Sequence, residues 1–289
     1  MIEFANDSAA PVVRQMWKKC FDDSDEFLDI YFKYKYKNEN TLIYFYEGKA
    51  VASLQMLPYT IRFYKELIPF SYFAGLCTLP EYRKKGFMAQ LIYKAHEILV
   101  ERKIPLAILI PAEDWLYGFY EKYGYEQVFE QDDEEIPLKD ILDKYPNIDE
   151  AYNEFDSLFR YRDFCIQKTK DDFKAIVEDF RLDNYPPKTN LSGMARIIDI
   201  WTLLDLYAKQ NLSHAYRLKI TGHISGKDVI YAVDRGMIEL IMGSDPEYDF
   251  EVDIRQLCRL LFGYKVSDLN ISCKAYFDEH SPVMNFMLE

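Results

Sequence analysis

Apolar residues near the start of the chain recur at helical spacing. Val12, Val13, Met16, Trp17, Cys20 and Phe21 share one face, which predicts an amphipathic helix. Residues 28–37 stay aromatic and mostly apolar and predict a second helix. The run TLIYFYEGKAVASLQMLPY reads as two strands about a Glu47-Gly48 turn. Its β-branched and aromatic side chains suit a pleated surface, and the glycine supplies the positive φ of a tight turn. IRFYKELIPFSYFAGLCTL continues as a further hairpin, turning near Lys65 and Glu66. After Pro80 the pattern becomes helical, with Phe87, Leu91, Ile92, Ala95, Ile98 and Leu99 on one face. PLAILIP is short and wholly apolar, the pattern of a buried central strand. A helix follows over residues 114–123, closed by Gly124 as a C-terminal cap, and YEQVFE returns to strand.

That order (helices, antiparallel strands, then β–α–β–α–β) predicts an α/β (α+β) domain with a mixed sheet flanked by helices, ending near residue 130. QDDEEIPLKDILDKYPNIDE is acidic, carries two prolines and reads as a connector. Residues 150–182 read as helical, with a break at YPPKTN. From Gly193 the pattern gives a strand (MARIID), a helix over residues 201–209 and strands separated by Gly222, Gly226 and Gly236. A last helix aligns Ile254, Leu257, Leu260 and Leu261. The expected division is residues 1–130, a helical connector over 131–190, and a small α+β domain over 191–289.

Composition narrows the function classes. With 289 residues, 49% hydrophobic and 29% charged, the chain has material for packed cores and no signature of disorder. The 24 Tyr and 20 Phe are first of all packing material. A net charge of −13 makes nucleic acid a poor partner, whereas an acidic surface draws cationic amines. Cys20, Cys77, Cys165, Cys258 and Cys273 are widely spaced and form no CxxC pair, so reduced thiols are expected rather than a disulfide framework or a zinc knuckle. None of the four histidines has metal-site spacing, and no metal is expected. MIEFANDSAAP lacks a basic stretch followed by an apolar one, and no run is apolar enough to span a bilayer. A soluble cytoplasmic protein without membrane insertion is the expectation.

The stretch GLCTLPEYRKKGFMAQLIYKAHEIL carries the most chemistry. A strand ending at Thr78 leads into a loop with Arg83, Lys84, Lys85 and Gly86, and the loop opens a helix. Gly86 lets a ligand approach the backbone, the first-turn N–H groups lack partners, and the helix dipole favours negative charge there. A pyrophosphate fits that description, although a basic surface turn entering a helix is also common. The second informative stretch is AEDWLYGFYEKYGYE, a helix rich in tyrosine.

The first stretch resembles motif A of the GNAT acetyltransferases, an R/Q-x-x-G-x-G/A loop after a strand, met here as Arg83-Lys84-Lys85-Gly86-Phe87-Met88 followed by Ala89. Met88 departs from the usual small residue. The resemblance implies acetyl-CoA as co-substrate, with backbone groups of Leu76, Cys77 and Thr78 facing pantetheine and thioester, and those of Lys84, Lys85, Gly86, Phe87, Met88 and Ala89 holding the pyrophosphate. The second stretch resembles GNAT motif B, and its Tyr123-Gly124-Tyr125 close puts Tyr120 at the general-acid position. Tyr117 and Tyr123 are the competing tyrosines. Glu113 stands where many members of the family have Asn.

GMARIIDIWTLLDLYA and FEVDIRQLCRLLFGY resemble the sterol-carrier-like (SCP2-like) C-terminal domain of the enhanced-intracellular-survival (Eis) acetyltransferases, and SLQMLPY agrees with that subgroup. The resemblance covers about residues 1–130 and 190–289 and implies that the connector is the remnant of a second GNAT domain. It also implies a C-terminal carboxylate as base, here that of Glu289 after the apolar tail MNFML. The function so implied is direct acetyl transfer to a primary amine, on a small cationic molecule or a lysine. The rival is a non-catalytic CoA- or lipid-binding protein on the same scaffold. The identity of the acceptor and the oligomeric state, homo-oligomer included, stay open.

Overall fold

Strand β1 (Ile2–Phe4) lies at the edge of a sheet beside β2 (Thr41–Tyr46). Between them α1 (Ala10–Phe21) and α2 (Asp25–Tyr34) turn Val13, Met16, Trp17, Leu28 and Tyr31 inward. Pro11 sits in the first turn of α1, and the Ser24 hydroxyl caps α2 through the N–H of Phe27. The computed structural model describes residues 1–224, 226–243 and 246–288.

β3 (Lys49–Phe63) and β4 (Glu66–Thr78) form one long hairpin. Its tip is Tyr64-Lys65, both at positive φ (49° and 68°), one residue before the expected turn. β3 is a single strand that serves both predicted hairpins. Then come α3 (Phe87–Glu101), β5 (Leu106–Leu109), α4 (Asp114–Glu121) and β6 (Glu126–Phe129). β5 runs parallel to β4 and is buried at every residue, as PLAILIP foretells.

The connector is not purely helical. After α5 (Leu138–Lys144) and α6 (Ile148–Phe159), β7 (Cys165–Gln167) pairs with Thr60, Ile61 and Arg62 of β3 before α7 (Lys170–Leu182) begins. Three residues are too few to leave an alternating pattern. α7 lies against α2, where Glu178 takes the Lys33 ammonium at 2.9 Å and the Tyr34 hydroxyl at 2.6 Å, and Asp172 pairs with buried Lys35. One wall of the first domain is therefore supplied by the connector.

β8 (Gly193–Ile197) departs from the expected grouping. It is hydrogen bonded antiparallel between β5 and β6, giving the order β1-β2-β3-β4-β5-β8-β6 with β7 on β3. A strand buried on both faces has no polar side to say which sheet it joins. The chain then builds a second sheet. α8 (Ile200–Gln210), β9 (Ala215–Thr221), β10 (Val229–Asp234), β11 (Met237–Leu240), β12 (Phe250–Asp253) and α9 (Ile254–Phe262) follow, with strand order β11-β10-β9-β12. The tail returns to the first domain: Val283 N–H donates to Phe164, Leu191 N–H donates to Met284, and Leu288 is buried.

Apolar side chains cover both faces of the first sheet. Leu54, Met56, Phe73, Leu91 and Tyr120 pack on the α3 side, and Trp17, Tyr31, Tyr59, Tyr72 and Leu288 on the other. Among the described residues no helix is long and apolar enough to cross a membrane.

Among the described residues β8 is the one hydrogen-bonded strand partner of β6, so residues 1–130 alone leave β6 unpaired. A fragment ending at residue 130 is expected to show no cooperative thermal transition by circular dichroism and to bind a hydrophobic dye. A sharp transition without dye binding would show that this strand is dispensable.

Candidate active site

β4 tracks β3 residue by residue up to Ala74 opposite Gln55, and the register then shifts so that Cys77 lies opposite Ser53. The extra residue is a β-bulge at Gly75 and Leu76, with Gly75 in the left-handed region at φ 56°. A Cβ there would lie 2.9 Å from Cε3 of Trp17 and 3.0 Å from Nε2 of Gln55, and would overlap Cζ3 of the same indole. Both conformation and space demand glycine. On its other edge β4 pairs with β5 only at Ser71 and Tyr72, and β5 stops at Leu109. Among the described residues, 73–78 therefore have no strand partner on that side, and a wedge opens between β4 and β5.

The end of β4 leads through a short turn (Pro80–Tyr82) into the basic loop. Lys84 and Gly86 both have positive φ, 62° and 78°. Among the described residues no side chain caps α3, and Gln90 N–H bonds back to the Gly86 carbonyl. The N–H groups of Phe87, Met88 and Ala89 precede that bond and lie at the positive end of a fifteen-residue helix. Arg83, Lys84, Lys85 and Gly86 are exposed. Lys85 lies over the rings of Tyr82 and Tyr46 at 5.1 and 5.5 Å, and Arg83 Nε donates to the Thr78 carbonyl at 3.1 Å. Phe87 anchors the helix start by stacking on Tyr44, and the larger Met88 is accommodated, half-buried, on the α3-side core. Backbone N–H groups without helical partners and a helix dipole favour negative charge at such a start.

α4 carries Tyr117 and Tyr120, Tyr123 lies in the turn just after it, and of the three only Tyr120 is buried, at 6% exposure. Its ring meets Phe119 and Tyr125 at 5.2 and 5.9 Å, and it shares a core cluster with Phe73, Leu76 and Leu109 beside the wedge. Burial pushes the Tyr120 phenol well up, and Tyr123 adds to the shift. Tyr117 and Tyr123 are half-exposed and also raised by burial. Gly124 closes the helix at φ 80°. Glu113 precedes α4 without capping it and accepts the indole N–H of exposed Trp115 at 2.7 Å. His96 is a packing residue: it bonds the Tyr125 hydroxyl at 3.1 Å, and burial pushes it down to about 3.

Beyond the expected residues, a cavity of about 370 Å³ opens where the α1–α2 turn, α7 and the tail meet, lined by Asp23, Phe27, Asp179, Asp183, Lys188 and Met287. Burial lifts Asp179 to about 6, with Asp183 adding to the rise and Lys188 opposing it. Burial also raises Asp23, against the hydrogen bond it takes from the Trp17 indole at 2.5 Å. The same indole lies on Gly75 and so links Asp23 of the acidic cavity to the bulge. No sequence signal marked these carboxylates, which look like ordinary solvated aspartates until α7 folds onto α2. Leu288 is buried, and Glu289 lies outside the described residues.

Residues 2–128 match the family model described as an acetyltransferase (GNAT) domain. No curated protein sequence matches the chain. Among solved structures, a conserved Enterococcus faecalis protein described as a probable N-acyltransferase is 14% identical, with 99% of each chain covered and a TM-score of 0.68. A GCN5-related N-acetyltransferase from Anabaena variabilis is 16% identical over 99% of this chain and 100% of its own, at 0.66. Eis1 from Mycobacterium abscessus is 10% identical over 99% and 98%, at 0.65. The mixed sheet flanked by helices is the GNAT fold.

Gly75→Ala tests the bulge. It is expected to cost about 2–4 kcal/mol in urea unfolding, from overpacking and a strained φ together. A loss under about 0.5 kcal/mol would mean that β4 relaxes around the new methyl.

Proposed function

We propose that this chain is an N-acetyltransferase that moves acetyl from acetyl-CoA directly to a primary amine. The observation that carries the reading is an uncapped, cation-lined helix start placed beside an open strand edge and the buried phenol of Tyr120. These residues fit a CoA. Arg83, Lys84 and Lys85, with the N–H groups of Phe87, Met88 and Ala89, would hold its pyrophosphate, and the backbone of Leu76, Cys77 and Thr78 would run along its pantetheine arm.

Acetyl-CoA supplies a thioester carbon open to attack by an amine. N–H groups on the free edge of β4 then stabilise the negative charge that develops on the carbonyl oxygen. Tyr120 gives its proton to the departing thiolate. Burial keeps that proton on the phenol through the neutral range, so the acid is loaded before each turnover. The cavity at Asp23, Asp179 and Asp183 supports a cationic acceptor, a small amine or a peptide lysine. Glu289, carried over from the resemblance, stays the proposed base. The second sheet and α9 enclose Leu218, Ile220, Leu257 and Phe262 without exposure, which favours the enzyme over a lipid carrier.

Tyr120→Phe is expected to lower kcat about 100-fold or more while KM for acetyl-CoA stays within about two-fold. Unchanged kcat in steady-state assays would move the acid to another residue, Tyr117 first. For the acceptor side, Asp179→Asn should raise KM for a cationic amine about ten-fold, equivalent to one charge contact. In the parent enzyme that KM should climb as pH falls through about 6, because Asp179 then takes up its proton and stops attracting the cation. An identical pH profile in the variant would remove Asp179 from the acceptor site.

A further inference from the structure

α1 carries Cys20 onto the last residues of β4. There Cys20 and Cys77 pack in one small cluster with Met16 and Leu79, Cys77 covered and Cys20 half-exposed. Cys20 Sγ reaches the carbonyl of Thr78, the residue after Cys77, at 3.5 Å, and the adjacent Cys77 thiol is the main influence that lowers Cys20 to about 7. Burial opposes the effect, while Arg83 reinforces it and Glu81 weakly counters it. Cys77 is pushed up by its neighbour Cys20 and by burial, and the Ser53 hydroxyl stands 3.2 Å from its sulfur. A half-exposed thiolate beside a buried protonated thiol is the pairing that redox chemistry uses for attack and resolution. Cys165, Cys258 and Cys273 are buried, and burial raises all three.

We propose that Cys20 and Cys77 form a reversible disulfide, with a low-molecular-weight disulfide as oxidant. The Cys20 thiolate attacks one sulfur of RS–SR, forms Cys20–S–SR and releases RS⁻. Cys77 then attacks the Cys20 sulfur, its proton passes to the second departing thiolate, and Cys20–S–S–Cys77 results. Two thiols lose two electrons and one RS–SR becomes two thiols, so the exchange balances. Persistent disulfides are rare in reducing compartments, and transient regulatory ones are the exception. The consequence falls on the anion loop. Cys20 Sγ and Arg83 Nε both point at the Thr78 carbonyl, at 3.5 and 3.1 Å. The disulfide ties α1 to the strand end from which the loop springs. This inference concerns thiols, and its test does not depend on the transferase reading.

The test incubates the whole folded chain with glutathione disulfide at neutral pH, quenches with acid, alkylates after unfolding and maps peptides without reduction. The parent chain is expected to lose two hydrogens, to yield a peptide joining Cys20 to Cys77, and to revert with dithiothreitol. Cys77→Ala should stop at a glutathione adduct on Cys20, and Cys20→Ser should take up none. A lasting glutathione on Cys20 of the parent chain, with Cys77 still open to alkylation, would overturn the proposal. So would a disulfide joining any other pair, or no reaction. If Cys77→Ala fails to fold by circular dichroism, the peptide map of the parent chain decides alone.

Discussion

The site depends on one extra residue in β4. A regular strand would send residues 72, 74 and 76 to one face and 73, 75 and 77 to the other. With the bulge, Tyr72 and Ala74 face the α1–α2 side and Phe73 the α3 side, but Leu76 joins Phe73 and Cys77 crosses to meet Met16 of α1. The flip is held by the Trp17 indole, which fills the space any Cβ on Gly75 would need. Wedge, anion loop and cysteine pair all follow from this local change of parity. A one-residue slip elsewhere in the sheet would be corrected by its buried face; here the slip is locked in by packing.

Legibility in the sequence tracked how local each signal is. The helices with one apolar face, the buried β5 and the Glu47-Gly48 turn declare themselves in a few consecutive residues. So does the basic loop before α3, because glycine, cations and a helix start are adjacent in the chain. β8 and β7 were harder. Met194 and Ala195 are equally buried on opposite faces, and Cys165 to Gln167 span too little chain to alternate. Tyr120 stood out from the other tyrosines by its resemblance to a family motif; burial, its physical distinction from Tyr117 and Tyr123, emerges only once α4 lies on the sheet. Asp23, Asp179 and Asp183 come from two distant segments, and nothing local could have joined them.

The charge layout has its own logic. The chain carries a net −13, yet Arg83, Lys84 and Lys85 concentrate positive charge at one helix start. Asp23, Asp179 and Asp183 gather the opposite sign across the sheet, where α7 is fastened to α2 through Glu178 and Asp172. On the transferase reading this separation matters. Unlike charges 4 Å apart attract by about 4 kcal/mol at an effective dielectric near 20, enough to pair a substrate ammonium with a cofactor phosphate. Such a pair would hold the amine protonated and away from the thioester. With the sheet between them, each partner would meet its own counter-charge. The raised pKa values of Asp23 and Asp179 fit the same arrangement, since carboxylates awaiting a cation are destabilised by burial until one arrives.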